Sequence, residues 1–339
     1  MKNKKLVSCV VAVALAILCI VGLIFFLSQE ETELEREWSY PVDESEYPYP
    51  VLDSNEKVED LSFAWYRPPF PPGGPLKFEF VGQFPKVPDK MLLYKIIRPK
   101  NVTEAYVREL ANKYFNKELS EYVNIPIDAG YRRNGNFCNL NTSAYNFMFE
   151  AHTGFFDLFK RRKARKKLSE DRKDYPSDEE GIKIATEYLK ERDLLPEEAY
   201  LYGASDVNIE SVGAIQVWFT RKIGQYKIWG RGSTISVRIG VAGEITRVSK
   251  SWFEYEPYKL VPIKSPKEAV NQLKYGNALL ATSSGKATRM ELAYHYPHND
   301  EYIQPVYSFG FENPKSYSLV PAIEPEYLKS HEEMRKKYK

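Results

Sequence analysis

The stretch IWGRGSTISVRIGVAGEITRVSKSWFEY, residues 228 to 255, constrains the fold more than any other part of the chain. Ile235, Val237, Ile239 and Val241 alternate with Ser236, Arg238 and Gly240, Ala242-Gly243 makes a turn, and Ile245, Val248 and Trp252 follow on the way back. A period of two places the apolar side chains on one face of a strand, so the stretch reads as an antiparallel hairpin with one buried face. It contains no residue that reads as a nucleophile, a metal ligand or a phosphate cradle. The hairpin is read as scaffold that presents a sheet face and an edge, both common docking surfaces for peptides and partner domains.

Three helices are expected, each followed by strands. Thr103 N-caps the segment 101–115, with Val107, Leu110, Ala111 and Tyr114 at helical spacing. Ser177 and Glu180 form a capping box ahead of Ile184, Ala185, Tyr188 and Leu189, and Ser265 and Glu268 form another with Pro266 at the first helical position. Strands are expected near 129–134 and 144–151, at 213–223 with the hairpin, and at 287–296 and 302–311. This is an α+β layout of repeated helix-plus-antiparallel-sheet units.

Residues 6–27 carry no charge, are preceded by Lys2, Lys4 and Lys5, and are followed by Glu30, Glu31, Glu33 and Glu35. Such a run spans a hydrocarbon core of roughly 30 Å. The flanking charges predict an uncleaved, single-pass transmembrane anchor with a cytoplasmic N-terminus and an extracytoplasmic body, which places the protein in the cell membrane. No small-x-small cleavage site ends the run, which argues against a signal peptide.

The expected organisation is a tip and anchor over 1–28, an acidic, proline-rich stalk over 29–88, α+β units over 89–160, 161–260 and 261–325, and a charged tail over 326–339. The stalk holds ten prolines, including YPYP and RPPFPPGGP, and reads as a stiff spacer or as a proline-rich recognition segment. Cys138 stands alone outside the apolar run, so it reads as a small buried hydrophobe, with an intermolecular disulfide as the alternative. The net charge of +2 with 28% charged residues points away from a nucleic-acid partner.

Other motifs carry little chemistry. Seven of the eight positions from Lys160 to Lys167 are basic, a pattern of a solvated loop or of contact with anionic lipid or wall polymer. HYPHND brings His295, His298 and Asp300 together, too few ligands for a four-coordinate metal site, and a strand end followed by a turn accounts for it. WGRGS leads into a strand, so it is a turn or bulge and not a phosphate loop. Asn101 and Asn141 head glycosylation sequons. No cofactor is expected.

The segment 176–311 resembles the PepSY and YycI-like extracytoplasmic modules. The likeness rests on the DEEGIKIATEYLKER helix, on the YKIWGRGSTISVRIGVAGEITRVSKSW hairpin, and on SPKEAVNQL leading to MELAYHY and YIQPVYSFGF. It implies a PepSY/cystatin-like fold anchored by one N-terminal helix, a role in regulating a partner such as a sensor kinase or protease, and no catalytic residues. The expected function is a non-enzymatic binding or regulatory protein with a protein partner outside the membrane. The alternative is an envelope enzyme that acts on cell-surface polymers through carboxylates brought together by folding. The expected partner surface comprises Trp218, Trp229, Trp252, Phe253, Tyr255 and Tyr258. Because adjacent strand residues point to opposite faces, Trp218-Phe219 and Trp252-Phe253 must each send one ring to each side.

Overall fold

The computed structural model describes residues 39–43, 48–53, 55–58, 78–100, 102–115, 128–132, 135–141, 143–151, 153–166, 169, 171–207, 214–230, 232–274, 278–280, 285–296, 301–312, 316–330 and 333. The described residues are mostly β, with 49% of them in strands. The described residues hold three α-helices, α1 (Glu104–Phe115), α2 (Asp178–Glu191) and α3 (Pro266–Lys274).

The structure departs from two expectations. The α+β class, an anchor followed by helix-plus-sheet repeats, gives way to a β-dominated chain, because strands outweigh the helices and pair into a sheet that runs past the expected unit boundaries. The membrane anchor is also withdrawn, and with it the single-pass, extracytoplasmic localisation. Residues 6–27 lie outside the described residues, and no helix among the described residues is long and apolar enough to cross a membrane. An uncharged run meets the length requirement for a span without by itself fixing one.

The chain divides into two compact units. One comprises residues 1–92, 259–292 and 305–339, and the other residues 93–258 and 293–304. In the first, Phe78–Phe80 pairs parallel with residues 285–287, and residues 306–311 pair antiparallel with Ser316–Pro321. Segments of the proline-rich stretch belong to this unit: Ser39–Tyr40 pairs with Val87–Pro88, and Leu52 N–H donates to the Leu260 carbonyl at 2.7 Å. Helix α3 starts at its capping box, where Glu268 N–H donates to Ser265 Oγ at 3.3 Å and Ser265 N–H donates to a Glu268 carboxylate oxygen at 2.8 Å. Its Ala269, Val270 and Leu273 are buried, as are Phe309, Phe311, Val320 and Ile323 in the core of this unit.

The second unit is built on an eight-stranded antiparallel sheet. Its order is Asp128–Arg132, Gly135–Asn141, Tyr145–Glu150, Phe156–Lys160, Ile245–Trp252, Ser233–Ile239, Ala214–Thr220 and Tyr200–Val207. The first four strands form one meander that follows α1, and the last four form another that follows α2. The meanders meet edge to edge through their final strands, with Leu158 opposite Val248 and Asp157 opposite Ser249.

One face of this sheet is the core. Phe147, Leu158, Val248, Val237 and Val217 lie opposite one another across five strands and are all buried. Val107 and Ala111 of α1 join the same cluster, as do Ala185 and Leu189 of α2. Full burial of each such side chain contributes about 1.5–3 kcal/mol. Helix α2 is positioned by its capping box, in which Ser177 Oγ accepts from Glu180 N–H at 3.2 Å and the Glu180 carboxylate accepts from Ser177 N–H at 2.8 Å. Gly181 allows it to approach closely: a Cβ there would lie 3.3 Å from Ile215 Cγ2.

Candidate functional site

Strand alternation that packs valines inward must turn their neighbours to the opposite face. Two rows of paired residues cross this open face. One runs Asn146, Phe159, Arg247, Arg238, Gln216 and Ser205, and the next runs Met148, Asp157, Ser249, Ser236, Trp218 and Gly203. The core face is aliphatic and aromatic, whereas the centre of the open face carries guanidinium, hydroxyl and amide groups.

Its central feature is the pairing of Arg238 directly opposite Arg247 on adjacent strands. Like charges in that position destabilise a sheet by roughly 0.2–1 kcal/mol. Asp157, buried on the next strand, answers one of them: Arg247 Nε and Nη2 donate to its two carboxylate oxygens, each at 2.8 Å. This is a bidentate, charge-assisted pair. Arg238 has only a neutral partner, donating through Nη2 to Gln216 Oε1 at 3.2 Å, and its Nε is buried without a hydrogen-bond partner. Burial first, then the charges of Arg247 and Arg165, hold the Arg238 pKa below the ordinary arginine value, with Asp157 opposing them.

Arg165 comes from the basic run 160–167. The segment turns through a short 3-10 helix at Arg162–Ala164 and is held against the hairpin turn by Glu244. One Glu244 carboxylate oxygen accepts from Lys160 Nζ at 2.7 Å, and the other accepts from Lys166 N–H at 2.9 Å. Arg165 Nε donates to the Lys160 carbonyl at 2.6 Å. Burial lowers the Arg165 pKa, Glu244 raises it and Arg247 lowers it again. Arg165, Arg238 and Arg247 thus act on one another electrostatically, while Asp157 is engaged by Arg247 and Glu244 by Lys160. The Arg247 side chain is 40% exposed, so the group is open to solvent. Planar forks of fixed positive charge at such a place hold carboxylate or phosphate oxygens in defined geometry.

Among the described residues, the carboxylates buried in the same unit, Asp157 and Glu150, do not assemble into an acid–base pair. Asp157 is taken by Arg247, and Glu150 accepts from Thr153 Oγ1 at 2.7 Å within its own hairpin turn.

The structure distributes the six rings of the expected partner surface. Trp218 is half-buried on the open face, one row from Arg238. Trp252 and Phe253 are buried, while Trp229, Tyr255 and Tyr258 are half-buried. Trp252 and Tyr255 come together around buried Arg221, whose guanidinium stands 4.6 Å and 4.5 Å from their ring centroids. Arg221 Nη2 also donates to the Gly232 carbonyl at 3.1 Å and to the Phe253 carbonyl, and Trp252 Nε1 donates to Glu198 at 3.1 Å. Phe253 packs against Tyr296, with centroids 4.6 Å apart, and Tyr258 against Tyr302, 5.3 Å apart. The contacts of Arg221 gather Trp252, Phe253 and Tyr255 at the end of the strand Ile245–Trp252, whereas Trp218 lies on the open face.

In the HYPHND stretch, His295 is buried beneath Gly230, where a Cβ would lie 3.1 Å from His295 Nε2. His298 and Asp300 lie outside the described residues, as does Asn101. The side chains of Cys138 and Asn141 are likewise outside the described set. Among the described residues, no group of three or more His, Cys, Asp or Glu side chains is placed to hold a metal ion.

Sequence reasoning missed the arginine cluster. A signal for half of it was present: a turn centred between Ala242 and Gly243 sets Arg238 opposite Arg247.

No family model matches this chain, and no curated protein matches it.

Proposed function

We propose that this is a non-enzymatic binding protein that receives an anionic group of its partner on the open face of the eight-stranded sheet. The observation that carries the reading is the direct opposition of Arg238 and Arg247, with Arg165 as a third cation beside them. A sheet bears that repulsion at a cost, and a bound anion would turn it into attraction. Arg247 is forked onto Asp157, whereas the hydrogen-bond partner of Arg238 among the described residues is the neutral Gln216, so Arg238 reports on binding. The test is calorimetric titration of the protein with citrate and with inorganic phosphate at low and at moderate salt. At least one anion should bind, more weakly as salt rises, and Arg238→Gln should weaken it by about tenfold, roughly 1.4 kcal/mol, without loss of fold. Absence of binding by both anions, or unchanged affinity in Arg238→Gln, overturns the proposal.

A further inference from the structure

The anion site has a shelf beside it. Trp218 lies in the row next to Arg238, on the adjoining strand, and diagonal neighbours of this kind sit about 7–8 Å apart. On its other side Trp218 is paired with Gly203, and no atom of the described residues lies within 4 Å of the position a Cβ would occupy there. The half-buried indole therefore borders bare backbone. Ser236 and Ser249 continue the same row toward Asp157. Within one reach the face offers a flat apolar surface, two hydroxyls, the Gln216 amide and a guanidinium pair.

We infer that the occupant is an acidic saccharide whose ring lies on Trp218 over Gly203 and whose carboxylate meets Arg238 and Arg247; this rests on the anion site proposed above. The side chains match that chemistry. An indole accepts the apolar face of a pyranose, while serine hydroxyls and a side-chain amide exchange hydrogen bonds with ring hydroxyls. The guanidinium pair supplies the charge. An acidic peptide fits less well. Extended peptides gain affinity from main-chain hydrogen bonds at a sheet edge, but here the strands on both sides of the cluster are already paired, so only side chains face the ligand.

The test is calorimetric titration of the full chain with a galacturonate tetrasaccharide. A neutral galactose tetrasaccharide, a poly-glutamate peptide, inorganic phosphate and a nucleoside monophosphate serve as comparisons. The galacturonate ligand should bind, and the neutral one should bind at least about tenfold more weakly. Trp218→Ala and Gly203→Phe should each weaken the acidic sugar by about tenfold. Trp218→Tyr should retain most of the affinity, which separates loss of the stacking surface from loss of the fold. Gly203→Phe adds a ring where space is open, so it should keep the urea midpoint of the parent. If phosphate, the nucleotide or poly-glutamate binds through Arg238 and the acidic sugar does not, the saccharide reading is overturned and the anion site stands. Galacturonate affinity unchanged in both Trp218→Ala and Gly203→Phe overturns it equally. If no anion binds, both readings fall.

Discussion

Replacing Arg247 with glutamine should separate what holds the sheet together from what serves a ligand. The Asp157 side chain is 5% exposed and receives both of its hydrogen bonds to Arg247 at 2.8 Å. Removing one partner of a buried pair costs about 3–5 kcal/mol, because the other charge stays behind. Two effects reduce that figure. The Arg247 side chain is 40% exposed, so water can reach part of the vacated space, and loss of the charge opposite Arg238 returns roughly 0.2–1 kcal/mol. The expected net loss is about 2–3 kcal/mol for Arg247→Gln. Arg238→Gln should be neutral or stabilising by a few tenths of a kcal/mol. Asp157→Asn should be destabilising on its own, since it leaves the arginines uncompensated. Combined with Arg247→Gln it should lose less than the sum, with a coupling of about 1–3 kcal/mol. Urea unfolding followed by circular dichroism measures the parent and the four variants, with equal slopes as the check that midpoints are comparable. A loss below about 0.5 kcal/mol for Arg247→Gln, or a coupling near zero, would refute the assignment of Asp157 as the partner that makes the arginine pair tolerable.

Other outcomes follow from single residues. Gly232 has φ of +96°, and a Cβ there would stand 2.3 Å from the buried Phe253 ring; Gly232→Ala should cost on the order of 2–4 kcal/mol by strain and overpacking together, read from the urea midpoint. Burial lowers the His295 pKa from 6.5 to about 4. The unfolded chain therefore binds this proton first, so stability should fall as pH drops from about 6.5 to about 4, by up to roughly 3 kcal/mol. His295→Phe should flatten that part of the stability–pH curve, and an unchanged slope would count against the burial of a neutral imidazole. Ser177→Ala removes the capping oxygen of α2 and should cost about 1 kcal/mol; a thermal shift indistinguishable from the parent would dismiss the capping box as a stabilising device.

Local rules were readable and long-range ones were not. The starts at Thr103, Ser177 and Ser265 follow from capping chemistry within four residues, and Thr103 Oγ1 does accept from Tyr106 N–H at 3.2 Å. The hairpin register follows from its turn, with Val237 opposite Val248. The same register brings Arg238 to Arg247, but the alternation draws the eye to the inward residues, and the outward ones pass for solvent positions. The join between Phe156–Lys160 and Ile245–Trp252 could not be read, because a period of two says which face is buried and nothing about which strand lies alongside. Arg165 was hidden for another reason: within a run of seven basic residues, only the folded path of the chain singles out the one that turns toward the sheet. Trp252 and Phe253 were legible as a pair pointing opposite ways, but the cation that buries one of them, Arg221, comes from another strand end.

The seam between the two meanders bears on the order of folding. Pairings within each meander join strands that are near in the chain, whereas the Arg247–Asp157 contact closes a separation of 90 residues. Closing the longer loop costs more chain entropy, so the meanders should form early and the seam late. Until it closes, each meander exposes an unpaired edge that could zip onto another copy. A one-residue slip would turn Asp157 to the apolar face and break its fork with Arg247. The ion pair thereby favours the native register over a slipped one when the seam closes.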